Sequence, residues 1–371
     1  MFLRALVLTL ALVSPSGYAF EIAYKVPGGS EFRGLATSGP NLLVADTVDG
    51  DRFDGDAGIV SVYDSATGAL RGTLPNPDDD GSFGGALAAN EEWIVVGAAG
   101  VVRVFDNHGD LVRALRPDDP VDPYFGAAVA IAGDLLAVID DWTPGFVHVF
   151  DLRTGARVRT LLHPESLPNQ HDTRVAVAGD VVIIASPAIG AVCALDVVTG
   201  DQRWCDSSPH PVAGDRFGAA LSVEGEDLLV GAPGDPYPFD PPPPTLGAAY
   251  LVDVQTGAIR HRYHGLKRGS GFGTAVALRG SSILVGAPDL LGKPSRRGKT
   301  YLIEKRSGRV LHAFRPLRRL DGYSGGAVAF VGARIAIVDT WEDSERIPVV
   351  RVYAPSSAAS EARAADGLLR K

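Results

Sequence analysis

"GDRFGAALSVEGEDLLVGAP" (residues 214–233) and "GSGFGTAVALRGSSILVGAP" (residues 269–288) place Phe-Gly and Gly-Ala-Pro at one spacing. The distance from Phe217 to Gly231 is that from Phe272 to Gly286. Phe83-Gly84 recurs with Gly97-Ala98, and a looser ruler, Gly eight positions after the Phe position, finds related stretches at Phe125, His171, Ser324 and Glu31. Seven copies then start at 31, 83, 125, 171, 217, 272 and 324. A period of this size marks a solenoid or a propeller.

Every copy continues alike. A variable loop follows Gly-Ala-Pro, then an alternating apolar stretch ending in an acid, then a turn such as "YDSATG", "FDLRTG", "LDVVTG" or "VDVQTG". Gly supplies positive φ there, while Asp and Thr bond to the turn backbone. A further short strand completes the unit, and no helical periodicity interrupts it. Seven four-stranded antiparallel units predict an all-β, seven-bladed propeller. The 44 Gly and 26 Pro suit a fold made of so many turns.

The seventh copy lacks a fourth strand, whereas "EIAYKV", Glu21–Val26, precedes the first copy without a blade of its own. The ring is therefore expected to close by pairing Glu21–Val26 with the strand at Val349–Tyr353, which leaves no dangling blade. The expected divisions are a signal peptide at 1–19, the propeller at 20–354 and a loose tail at 355–371. The signal rests on Arg4, the apolar run Ala5–Val13 and the small-residue site Gly17-Tyr18-Ala19. That run is too short to span a bilayer, and no later one is long enough. Export to the periplasm or the medium is expected. Losing Arg4 with the signal takes the formal charge from -9 to -10, which disfavours a generic nucleic-acid binder. Two cysteines, Cys193 and Cys205, flank one predicted hairpin, and in an exported chain they are expected to form a disulfide.

Phe-Gly followed by Gly-Ala-Pro at this spacing resembles the FG-GAP repeat family, which includes the N-terminal propeller of integrin α chains and many exported bacterial proteins. The match covers nearly all of the mature chain and is fullest in copies five and six. It implies a seven-bladed propeller that binds, usually, another protein. Several members carry a D-x-D-x-D-G calcium loop between the two halves of the motif. Here that link is only "VEGEDL" or "LRGSSI", too short to offer five or more oxygens to one ion. Calcium is possible elsewhere but not favoured, and no cofactor is expected. "ALDVVTGDQRW", Ala194–Trp204, is similar to the repeat of quinoprotein dehydrogenase propellers, but in one blade alone.

Motifs with direct chemical meaning are incomplete. "GYSGG", Gly322–Gly326, matches G-x-S-x-G, yet a strand follows Ser324 where a nucleophile elbow needs a helix. His261 and His264 stand three apart on a predicted strand and so face opposite ways. A non-enzymatic role is expected. The loops between strands two and three and between blades share one face and are long, as in "DTVDGDRFDGDAG", "GDPYPFDPPPPTLG" and "DLLGKPSRRGKT". Loops over a rigid scaffold carry function, so this is the candidate binding face. Three copies put Asp where the motif has Ala: Asp46, Asp140 and Asp339. Asp46 and Asp339 belong to adjoining blades and are candidates for one acidic cluster. From His264 to Arg319 there are 13 Lys and Arg against 2 acids, and this basic sector includes Arg296, Arg297 and Arg318. An unknown protein or an anionic ligand is the expected partner, with no nucleic acid, no membrane span and a monomeric chain. The alternatives are a hydrolase or lyase using the Asp cluster, or a quinoprotein-like oxidoreductase.

Overall fold

The computed structural model describes residues 20–27, 31–47, 58–78, 80–118, 122–140, 145–162, 173–209, 214–234, 246–266, 269–288, 298–315, 323–340 and 348–356. Within them lie seven four-stranded antiparallel sheets, each a blade whose strands pair in chain order. Blade seven is the exception, as expected from its missing strand. Its outer strand is Phe20–Pro27, antiparallel to Val349–Pro355, with Glu21 opposite Ala354 and Val26 opposite Val350. The ring is thus closed by the first and the last of the described strands.

The core lies between the blades. Seven apolar clusters each join the facing sides of two neighbours. Phe217 is buried against blade four and Phe272 against blade five, so each motif Phe fills the wedge toward the preceding blade. The alternation of each strand sends its odd and even residues into two different wedges. The second strands accordingly read as continuous apolar runs, because both of their faces are covered.

The glycines of the repeat serve these wedges. A Cβ on Gly231 would stand 2.0 Å from the carbonyl oxygen of Gly273 in the next blade. One on Gly286 would stand 2.1 Å from that of Gly325. The Gly of Gly-Ala-Pro therefore lets the following blade's Phe-Gly turn pass at van der Waals contact. Gly273 in turn adopts φ +102°, open to glycine alone, and its N–H donates to Gly286 O at 2.9 Å. In blades two, five and six, the Phe-Gly pair sits in a turn just ahead of the first strand and not within it. The "DVVTG" and "DVQTG" turns hold as expected: Asp196 Oδ1 accepts from the N–H groups of Val198 and Thr199 at 2.7 and 2.8 Å. Cys193 and Cys205 face each other on the third and outer strands of blade four and stand at disulfide distance.

Gly231→Ala is expected to destabilise the protein by at least ~3 kcal/mol, because backbone and not a side-chain tip must move. Gly280→Ala meets no atom within 4 Å and carries only the left-handed backbone cost, about 1 kcal/mol. Urea titration of both variants checks the contrast, and equal losses would refute the close-approach account.

Candidate functional site

One position in each third strand breaks the apolar pattern. It is Ser61, Arg103, His148, Cys193, Tyr250, Tyr301 or Arg351, each three residues before the end of "GIVSVYD", "VVRVFD", "FVHVFD", "AVCALD", "AAYLVD", "KTYLIE" and "VVRVYA". Each pairs with an apolar residue of the second strand: Val44, Val96, Val138, Ile184, Val230, Val285 or Ile337. Two residues on, and hence on the same face, come Asp46, Ala98, Asp140, Ser186, Ala232, Ala287 and Asp339. Where the second strand ends in Ala, blades five and six put Tyr250 and Tyr301 over the motif Phe, at ring distances of 5.4 and 5.6 Å. Where it ends in Asp, the facing residue is Ser61, His148 or Arg351.

The three Asp residues are therefore buried, 3–8% exposed, and not displayed on the surface. They also lie apart. Asp46 shares its face with Val44, which packs against blade seven. Asp339 shares its face with Ile337, which packs against blade six. The sheet of blade seven stands between them, so the expected joint cluster does not form. Strand parity is the reason: adjoining blades send equivalent residues in the same rotational sense and never toward each other. No group of three or more metal-ligating side chains occurs among the described residues. The Asp-rich segment 48–57 and the basic residues Arg296, Arg297 and Arg318 lie outside the described residues.

Blades two, three and seven carry the basic side chains at this position, Arg103, His148 and Arg351. Arg103, 1% exposed, donates to Asp80 at 2.6 Å and Asp78 at 2.7 Å, both in the linker from blade one. Arg103 holds the Asp78 carboxyl below its usual range, first by hydrogen bonding and then by charge. Arg351 and Asp339, both nearly fully buried, form an ion pair at 2.5 Å within blade seven. In blade three, His148 Nε2 stands 3.4 Å from Asp140 Oδ2, and Nδ1 lies 3.1 Å from Thr160 Oγ1. Burial, reinforced by Arg157, pushes the imidazole down to about 4, so it is neutral at pH 7. Asp122, in the linker from blade two, bonds to Asp140 and accepts from Tyr124 N–H at 2.9 Å. Burial, ahead of its carboxyl neighbour, raises Asp122. A neutral imidazole and a pair of close carboxyls can pass or share a proton. The ion pairs of blades two and seven cannot do so near neutral pH.

Two other singled-out motifs have structural settings. Ser324 lies on a strand, 2% exposed and opposite Asp339, with another strand and no helix after it. The "ALDVVTGDQRW" stretch ends in Trp204, whose Nε1 donates to Val254 O of blade five at 2.8 Å. Two cavities open on the circumference. One, of about 270 Å³, lies between blades four and five beside Trp204. The other, of about 350 Å³, lies between blades one and two beside Gly72.

Arg351→Met alone should destabilise by about 3–5 kcal/mol, since it leaves Asp339 buried without its cation; Asp339→Leu added to it should restore most of the loss. Thermal melts of the single and double variants decide this, and additive losses would refute it. The second expectation concerns pH. The folded His148 lies below its unfolded value of about 6.5, so the unfolded chain binds more protons between those limits. Its contribution is full above pH 6.5 and is lost as pH falls toward 4, by about 3 kcal/mol at most. Asp122, raised when folded, runs the opposite way. His148→Gln should flatten the stability profile from pH 6.5 to 4, and an unchanged slope would overturn the assignment.

No family model and no curated protein matches the sequence. Among solved structures, the chain is similar to the WD40 β-propeller domain of Doa1, over 92% of this chain and 99% of that one, with a TM-score of 0.61 at 12% identity. At that identity the likeness is one of fold alone.

Proposed function

We propose that this chain is an exported propeller of the FG-GAP type that binds a partner protein or anionic ligand through the face carrying its strand-two-to-three loops and blade linkers. The observation that carries this is how the rim of that face is held. Arg103 ties the linker from blade one to the wall of blade two, and Asp122 does the same for blades two and three. The Arg351–Asp339 pair is spent inside blade seven. These groups brace the loops from beneath, and a braced rim is what a binding face needs from its scaffold. A disulfide in blade four agrees with an oxidising compartment. The basic sector around Arg296 supplies the charge for an anionic surface.

Because Asp46, Asp140 and Asp339 are buried, changing them would disturb the seams and confound any binding assay. The informative set is Arg296, Arg297 and Arg318, changed together to Ser. The mature protein should start at Phe20 when its N-terminus is sequenced from the exported fraction. The Arg variant should keep its melting temperature within a degree or two while cross-linked capture of the cognate partner falls several-fold, less so at high salt. Full-strength capture by that variant would refute the assigned face. Retention of residues 1–19 in the cell interior would refute export.

A further inference from the structure

Each blade's outer strand places one residue at the entrance to the wedge with the next blade. It is the residue opposite Val352, Val104, Val149, Ala194, Leu251 and Leu302: Tyr24, Arg113, Arg159, Trp204, His261 and His312. All six are large and planar at the tip. Five lie over the turn glycine of the next blade, within 3.3 Å of where a Cβ on Gly68, Gly155, Gly200, Gly257 or Gly308 would be. His312 instead stacks on Phe20, at 5.3 Å between ring centres. Four of them also donate to a carbonyl of the turn they cover: Tyr24 to Ser65 O, Arg113 to Arg153 O and Trp204 to Val254 O, at 2.6–2.8 Å, and Arg159 to Val198 O.

In blade one the same position, opposite Val62, is Gly72. A Cβ there would meet nothing within 4 Å, and its φ of +154° suits glycine. The missing side chain leaves the cavity of about 350 Å³, lined by Asn41, Val62, Leu74, Asn107, His108 and Gly109 among others. The acceptor at its floor is in place. In the neighbouring wedge, Ser65 O takes two donors, Tyr24 Oη at 2.6 Å and Arg334 at 3.3 Å. Its counterpart Asn107 O takes one among the described residues, Asn41 Nδ2 at 2.7 Å. A carbonyl oxygen has two lone pairs. The strand Leu70–Thr73 beside the cavity is the outermost of its sheet, and its outward edge is unpaired among the described residues.

We propose that the wedge between blades one and two is a docking site for a tyrosine side chain of a partner polypeptide, with its ring against Leu74, whose Cδ2 lies over Gly109, its hydroxyl donating to Asn107 O and its main chain along the edge of Leu70–Thr73. The occupant is specified by the molecule itself. Six sister wedges are closed by a flat polar-tipped side chain on an extended strand; this one lacks that side chain and keeps the turn carbonyl, with Leu74 Cδ2 alone over the turn glycine, 3.1 Å from where a Cβ on Gly109 would be. The site is on the circumference and is independent of the loop-face function proposed above.

The test uses the full mature chain, isotope-labelled for NMR, and N-acetyl-tyrosinamide as the probe. Saturable shifts are expected at the amides of Thr73, Asn107, His108 and Gly109. N-acetyl-phenylalaninamide, which lacks the donor, should bind at least about 3-fold more weakly. Free p-cresol, which lacks the peptide groups, should also bind more weakly. Absence of saturable shifts there, or shifts centred elsewhere, overturns the site. Equal binding of the phenylalanine probe overturns the hydroxyl contact, and equal binding of p-cresol overturns the polypeptide as occupant. Gly72→Tyr should close the wedge from within and remove the shifts; if that variant folds and still binds, the site is wrong. If its backbone rejects the side chain and it does not fold, the three-probe comparison on the unaltered chain still decides.

Discussion

The passage of one blade's backbone against the next, with no side chain between, is the constraint on which the ring depends. Gly231 facing Gly273 O and Gly286 facing Gly325 O set how closely blades five, six and seven approach. Everything nearer the circumference is spaced from that contact. The motif Phe fills the wedge it leaves, the second-strand Ala leaves room for Tyr250 and Tyr301, and the outer-strand side chains close what remains. A repeat protein gains stability largely from such neighbour interfaces, so one contact, copied, governs the whole.

Much of this was legible in the sequence because it is periodic. The blade count, the four strands and the pairing of Glu21–Val26 with Val349–Tyr353 follow from spacing and from a strand left without a place. The Cys193–Cys205 pair followed from its hairpin. The Asp residues stand out in the sequence as departures from the motif, but the motif does not give their setting. A repeat alignment gives height along the ring axis and not the direction in which a side chain points. Asp46 and Asp339 are at one height and in adjoining blades, yet strand parity sends them into different wedges.

The third-strand position from Ser61 to Arg351 was also written in plain view, as one polar or bulky residue in otherwise small and branched apolar strands. Its spacing gives its place on the strand but not the wedge it faces or the groups it meets there. The partner acids of Arg103, Asp78 and Asp80, and the Asp122 that bonds to Asp140, come from linkers whose course only tertiary structure reveals. Such groups are costly to bury unless satisfied, which is why each charged version brings its own counterpart. The contrast at Gly72 could not be found from a motif, since glycine in a turn-rich chain attracts no notice until six equivalent residues are seen to be large.

Joining Phe20–Pro27 to Val349–Pro355 has a temporal consequence as well as a spatial one. The first strand cannot be seated until the last has arrived, more than three hundred residues later. In a chain emerging N-terminus first, blades one to six can each pair from consecutive strands, and only the edge of blade seven must wait for the last strand. Once it is seated, the last strand lies between the first strand and the rest of blade seven, so it cannot leave its sheet while the first strand stays paired.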